Sequence, residues 1–349
     1  MREFDFIVVG QGIAGTLMAW NLRLAGKKVL IIDDHHSGSS SLVAAGIVNP
    51  ITGKNYVTSW RIQEFLPVAI QTYDALNQYY GIQCYTCANI LRSLYSGSDE
   101  NTWLAKSAEP GMEQFICKEV DLDSYTGKVH QQLSYGELRG TFYVNMTMIM
   151  STVKDEWTTQ KSYITECFQY DLLKISTDGF IYKDNKSKGI VFCEGYRAIS
   201  NPYFTKIGLA PSKGEVLIVK IPDAGFKKMY KDGIFFVPQG DDTYWVGSGY
   251  EKKATDDNPT QKNYDVLSAE LERVLKIPYE IIGHKAAIRP TMQNRRPVFK
   301  EHENIKGMYL LNGLGTKGAS IGPFYATQSA RYMIEKKQEN IHFNNPIQI

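Results

Sequence analysis

No run in this chain approaches the roughly 20 apolar residues that a membrane-spanning helix needs. Charge of one sign is equally absent: Lys plus Arg number 39 against 37 for Asp plus Glu, a net +2. Without a basic block there is no phosphate-tracking surface, and nucleic acid is not an expected partner. Cysteine is scarce and odd in number, at positions 84, 87, 117, 167 and 193, which argues against a disulfide framework and for reduced thiols. Cys84 and Cys87 form a C-x-x-C pair inside the strand-like "GIQCYTCANIL", where a spacing of three points them to opposite faces and favours core packing over a metal or redox site. "MREFDFIVVG" enters a strand at once, without a basic leader, apolar core and cleavage site, and "NNPIQI" carries no lipidation signal. These absences lead to the expectation of a soluble, cytoplasmic protein with no membrane partner. Gly53 and Lys54 lack the upstream glycine and the following Ser or Thr of a phosphate-binding P-loop.

What is present begins with "VVGQGIAGTLMAW". Phe6 to Val9 reads as a doubly buried strand. Ile13 to Leu24 carries apolar residues at helical spacing and stops at Gly26. "KKVLIID" is a second buried strand ending at Asp33. Strand, G-x-G-x-x-G turn, helix, strand and terminal acid form a dinucleotide-binding unit. Gly10 permits the tight turn, Gly12 admits a pyrophosphate to the backbone, and Gly15 lets helix and strand pack closely. Ile13 and Ala14 open a helix whose amino end favours anions. Asp33 would accept hydrogen bonds from ribose hydroxyls, with Asp34 beside it. His35 and His36 follow within reach of an adenosine, and read as surface-loop histidines.

A second glycine element stands near the other end, in "GMYLLNGLGTKGASIGPFYATQSARYMIEKK". Met308 to Leu311 reads as a buried strand, Gly313, Gly315 and Gly318 as a loop, and Ile321 to Glu335 as a helix with Pro323 in its first turn. Such a cofactor would be gripped from both ends of the chain. Between the two elements, "GEVLIVKIP", "GIFFVPQG" and "DTYWVGSGYE" are strands with polar turns, suited to an antiparallel sheet. Trp60 to Tyr79 and Val144 to Thr159 read as amphipathic helices.

In this order, "VVGQGIAG" with Asp33, "SSSLVAAGIVNP", "IVFCEG", "PSKGEVLIV", "GIFFVPQGDDTYWVGSGYE", "AAIRPTMQNRRPVF" and "NGLGTKGASIGP" resemble the D-amino acid oxidase superfamily of FAD-dependent oxidoreductases, over nearly the whole chain. The superfamily includes glycine oxidase, sarcosine oxidase and a tRNA-modification oxidase domain. The resemblance implies an α/β fold: a Rossmann-like FAD-binding domain with an inserted α+β substrate domain on an antiparallel or mixed sheet. The FAD domain would be discontinuous, over 1–80, 141–205 and 286–349, with the substrate domain over 81–140 and 206–285. Cofactor-binding residues implied are Gly10, Gly12, Ile13, Ala14, Gly15, Asp33, Asp34, Ala45, Gly46, Gly195, Gly313, Gly315, Thr316, Lys317 and Gly318.

The activity implied is oxidation of the C–H bond next to an amine, in a small amino acid or related amine, by hydride transfer to flavin. Oxygen or another acceptor would take the electrons. Arg289 matches the arginine that binds the substrate carboxylate in amino acid oxidases. Lys317 and the loop amides could hold negative charge on reduced flavin. Arg295 and Arg296 read as a surface charge pair. A tyrosine that assists the carboxylate in relatives matches Phe235, which lacks the hydroxyl, so Tyr250 or Tyr244 would have to replace it. Trp245 is the approximate match to a lysine that promotes reaction with oxygen in sarcosine oxidase. No cysteine lies near "RPTMQNRRP", so FAD is expected to be non-covalent; no metal is expected. Alternatives are a 2-hydroxy acid flavin dehydrogenase, a tRNA-modification-type amine oxidase, and a catalytically decayed flavin-binding protein.

Overall fold

The computed structural model describes residues 1–252 and 256–335. The apolar run Phe6 to Val9 lies inside the strand Arg2–Val9, buried on both faces. It pairs in parallel with Val29–Asp33 on one side and Asn185–Phe192 on the other. Tyr163–Thr165 extends the sheet beyond Val29–Asp33, again in parallel. The strand Asn185–Phe192 has a divided far edge. Its first half pairs antiparallel with Gly179–Tyr182, and its second half in parallel with Met308–Asn312. The carboxyl ends of five parallel strands therefore meet at one edge, where doubly wound folds place their ligands.

Three helices, Ile13–Leu24, Met146–Thr159 and Gly318–Glu335, lie against one face of this sheet. Ile13–Leu24 packs against Gly318–Glu335, and Ile62–Tyr80 packs on the latter. The last helix begins three residues before the expected Ile321, because Gly318 to Ser320 already turn helically. Pro323 thus sits inside the helix, where its missing N–H would leave the Ala319 carbonyl without its i+4 donor. The buried Tyr73 hydroxyl fills that place, donating to Ala319 O at 2.7 Å. Ile62–Tyr80 and Met146–Thr159 start two residues later than the amphipathic pattern suggests. Arg61, in the left-handed region at φ 49°, and Asn145, whose side chain accepts from Met148 N at 2.9 Å, set those starts.

The second sheet is mixed. Ser212–Lys220 lies between Glu280–Arg289 and Thr243–Gly247, followed by Ile234–Gly240, Met229–Asp232, Ile90–Leu94 and Ser134–Leu138. All these pairings are antiparallel except that of Met229–Asp232 with Ile90–Leu94. The three strands read from sequence are present, though not in chain order across the sheet. One face packs under the helix Gln261–Val274 through Leu267 and Leu271. The opposite face carries Val216, Phe235, Trp245 and Ala287, and it closes one side of a large cavity. Among the described residues no helix is long and apolar enough to cross a membrane.

Candidate functional site

The cavity, about 700 Å³, runs from the edge of the first sheet to the face of the second. At one end the first glycine turn is forced by geometry. Gly10 has φ +93°, and a Cβ there would lie 2.5 Å from Cys193 O; a Cβ on Gly15 would lie 1.8 Å from Gly10 O. Only glycine fits either place. Asp33 closes the turn from the next strand, accepting from Gln11 N and from His35 N, both at 2.7 Å. Tyr163 OH donates to Gln11 Oε1 at 2.9 Å, and Gln11 Nε2 donates to Met150 O at 2.8 Å, so the acid stands on a buried support.

The helix Ile13–Leu24 has Gly12 as its N-cap, and Gly12 has no side chain to supply a capping hydrogen bond. Ser41 supplies it from another segment, its Oγ accepting from Ile13 N at 3.0 Å. Asp34 pairs with Arg197 at 2.5 Å. Next to them Glu194 is enclosed, accepting from Tyr170 OH at 2.5 Å and from Asn201 Nδ2 at 2.7 Å. Burial raises the Glu194 carboxyl above its ordinary pKa despite both donors. His36 reaches the rim, its Nε2 2.5 Å from Asp257 Oδ2. The second glycine element meets the same cavity: Asn312 Nδ2 donates to Gly195 O at 2.8 Å and ties two loops together.

Arg289 stands where the cavity reaches the second sheet. Its guanidinium lies flat over Gly214, where a Cβ would come within 1.8 Å of Nη2. It donates to Ser248 Oγ at 2.9 Å and to the carbonyls of Gly249 and Lys213, each at 3.2 Å. Among the described residues no carboxylate lies within ion-pair distance of it. Burial pulls its pKa below the ordinary arginine value. Lys317 lines the cavity with Nζ 3.5 Å from Ser59 Oγ; burial, with the Arg296 charge nearby, lowers it as well.

The structure brings Gly10, Gly12, Ile13, Ala14, Asp33, Asp34, Ala45, Gly46 and Gly195 to the cavity wall. It brings Gly315, Thr316, Lys317, Gly318 and Arg289 to the same wall. Gly15 and Gly313 are not on it: Gly15 packs on Gly10 O, and Gly313 packs on Met292. Tyr250 is not on it either. The residue is 59% exposed, and its ring lies 5.8 Å from the Arg289 guanidinium. Tyr244 is turned to the opposite face, its hydroxyl accepting from Phe226 N at 3.2 Å. Phe235 and Trp245 do line the cavity, and the Trp245 indole donates to Val43 O at 2.7 Å. Arg296 stacks on Trp60 at 4.0 Å. Sequence reasoning gave no role to Ser41, Glu194 or Arg197, although Ser41 stands in the quoted "SSSLVAAGIVNP" and Glu194 in "IVFCEG"; Arg197 carried no signal.

The fit to a flavin dinucleotide can be judged from these features. A glycine turn without Cβ atoms, an acid at the end of the next strand and two helix amino ends bordering one long cavity suit a pyrophosphate and ribose. Residues 5–139 and 166–331 match the model of the FAD dependent oxidoreductase family, DAO. The chain belongs to this family. It is thus an FAD-dependent oxidoreductase of the D-amino acid oxidase superfamily. It is 21% identical to a glycine oxidase of Pseudomonas aeruginosa, with 91% of each chain covered. Among solved structures, glycine oxidase from Geobacillus kaustophilus superposes with a TM-score of 0.78 at 15% identity, covering 100% of both chains. Iminodiacetate oxidase from Chelativorans sp. BNC1 also gives 0.78, at 17% identity, covering 95% of this chain and 96% of that one.

Proposed function

We propose that this enzyme oxidises the C–H bond next to the nitrogen of a small amino acid or related amine whose carboxylate is held by Arg289. One observation carries the reading. A half-buried guanidinium at the sheet end of the cavity, with three neutral oxygen acceptors and no acid partner among the described residues, suits a planar carboxylate. In this reading the first sheet and its glycine turns form the FAD-binding domain, and the second sheet forms the substrate domain.

FAD, when bound, supplies the two-electron acceptor for the C–H bond. Gly10, Gly12, Ile13 and Ala14 would face its pyrophosphate, and Asp33 its ribose, without covalent attachment. Gly315 to Gly318 and Lys317 would stand toward the ring system. There the Gly318 and Ala319 amides that open the last helix have no intrahelical partner, and the ammonium adds positive charge where negative charge develops. Phe235 and Trp245 exclude water from the substrate end. Oxygen or another acceptor, and a cytoplasmic setting compatible with five unpaired cysteines, complete the proposal.

The test is steady-state kinetics of Arg289→Met and Arg289→Lys on whichever amino acid reduces the wild type. Loss of a charge-assisted hydrogen-bond pair, about 1.5–3 kcal/mol, predicts a fall in kcat/KM of about 10- to 150-fold for Met, with Lys between. Unchanged kinetics in both variants would sink the assignment of Arg289.

A further inference from the structure

The face of the second sheet that carries Arg289 does not end at the cavity wall. The register sets one row across it: Val216 opposite Gly247, Gly247 opposite Phe235, Phe235 opposite Lys231, and Lys231 opposite Arg92. Alternation along the strands puts Lys231 on the face of Met229, and Arg92 on the face of Ile90 and Leu94, which is the face of Phe235 and Trp245. The first residues past Phe235 are therefore two cations, side by side on neighbouring strands.

Facing like charges on adjacent strands are unfavourable unless something compensates them. Among the described residues neither forms an ion pair. Lys231 Nζ donates to Gly233 O and lies 4.6 Å from the Phe235 ring centroid. Arg92 lies 4.5 Å above the ring of Tyr56, whose hydroxyl donates to Asp99 at 3.2 Å. The acids nearest Lys231 are otherwise engaged. Asp232, fully buried on the opposite face, is paired with Arg273 at 2.7 Å, and Glu270 is paired with Arg273 at 2.8 Å. Burial, with Arg92 as the next cause, brings the Lys231 ammonium down to about 8.

We infer that Lys231 and Arg92 form a second anion subsite, so that the substrate carries a second carboxylate besides the one held by Arg289. The inference rests on the proposed role of Arg289 and adds the class of substrate. Spacing supports it. The Arg289 guanidinium lies over Gly214 in Ser212–Lys220, and the Lys231 strand is the third from it across the sheet. At roughly 4.8 Å per strand that is about 14 Å, the span of an extended dicarboxylate of about six carbons with a hydrogen bond at each end. The Phe235 ring would lie under the connecting carbons.

The test is calorimetric titration of the FAD-bound protein with acetate, glutarate and adipate, in wild type, Lys231→Met, Lys231→Arg, Arg92→Met and Arg289→Met. The expected result is binding of one or both dicarboxylates about tenfold or more tighter than acetate. That margin should shrink in Lys231→Met and Arg92→Met with acetate affinity unchanged, and survive in Lys231→Arg. Arg289→Met should lose acetate itself. Equal affinity for mono- and dicarboxylates in the wild type, or a margin that survives both methionine variants, overturns the second subsite. Acetate binding retained in Arg289→Met instead condemns the Arg289 assignment, a separate result.

Discussion

Two residues show how much one atom decides here. At Gly214 a single methyl would overlap the Arg289 guanidinium. Gly214→Ala is therefore predicted to push that group off its Ser248 and Lys213 partners and to mimic Arg289→Met in kinetics, while flavin content stays near wild type. Amino acid turnover at the wild-type rate in Gly214→Ala would contradict the placement. Glu194 makes a pH prediction. Its folded pKa lies above the ordinary 4.5, so the native state holds that proton more tightly than the unfolded chain. Its contribution to stability is full below about 4.5 and is lost as pH rises through the raised folded value. Glu194→Gln, which cannot ionise, should gain in melting temperature relative to wild type as pH climbs from 4 to 8; a gap that stays constant would refute this. Residues of this scale were unevenly legible. "AIRP" pointed to Arg289 through the family resemblance, whereas Glu194 looked like any acid before a glycine, since enclosure by Tyr170 and Asn201 is invisible without the fold. Tyr250 stands beside Arg289 but off the cavity wall, which the sequence did not disclose for a related reason. Its side-chain direction depends on how the backbone leaves the strand at Gly247, which strand periodicity does not specify.

Among the elements, the last helix offers the sharpest test. Tyr73 OH is the donor that the Ala319 carbonyl lacks because of Pro323. Tyr73→Phe leaves a buried carbonyl unsatisfied, and should lower unfolding free energy by about 1–3 kcal/mol in urea titrations. A loss below a few tenths would mean that the carbonyl finds another partner. Ser41→Ala should cost less, about 0.5–2 kcal/mol, and should weaken FAD retention because it frees the helix end facing the cavity. Elements of long, regular pattern were read well. Ile13–Leu24 and Val29–Asp33 stand where the periodicity put them. Helix starts were read less well, because Arg61 in the left-handed region and the helical turn at Gly318 to Ser320 are local backbone choices that apolar spacing does not encode.

For the whole molecule, the order of motifs along the chain disclosed the family and the mixed α/β architecture, since each motif contributes residues to the wall of one cavity. What order alone did not disclose is the lateral order of the second sheet, where long-range pairing interleaves Ser212–Lys220 between Glu280–Arg289 and Thr243–Gly247. That order is what puts Arg289, Phe235 and Lys231 on one face of the sheet. FAD bound in the cavity should raise the melting temperature by mass action, the equivalent of about 2.7 kcal/mol at a concentration a hundredfold above its Kd. The central claim is that flavin and a carboxylate-bearing amine meet in this cavity, and anaerobic titration of the yellow holoprotein tests it most directly. Amino acids and their 2-hydroxy acid counterparts are added in turn, and the flavin absorbance is followed. Bleaching by amino acids, with the hydroxy acids inert, is the predicted result. Bleaching by the hydroxy acids alone, or by none of these carboxylates, would contradict it.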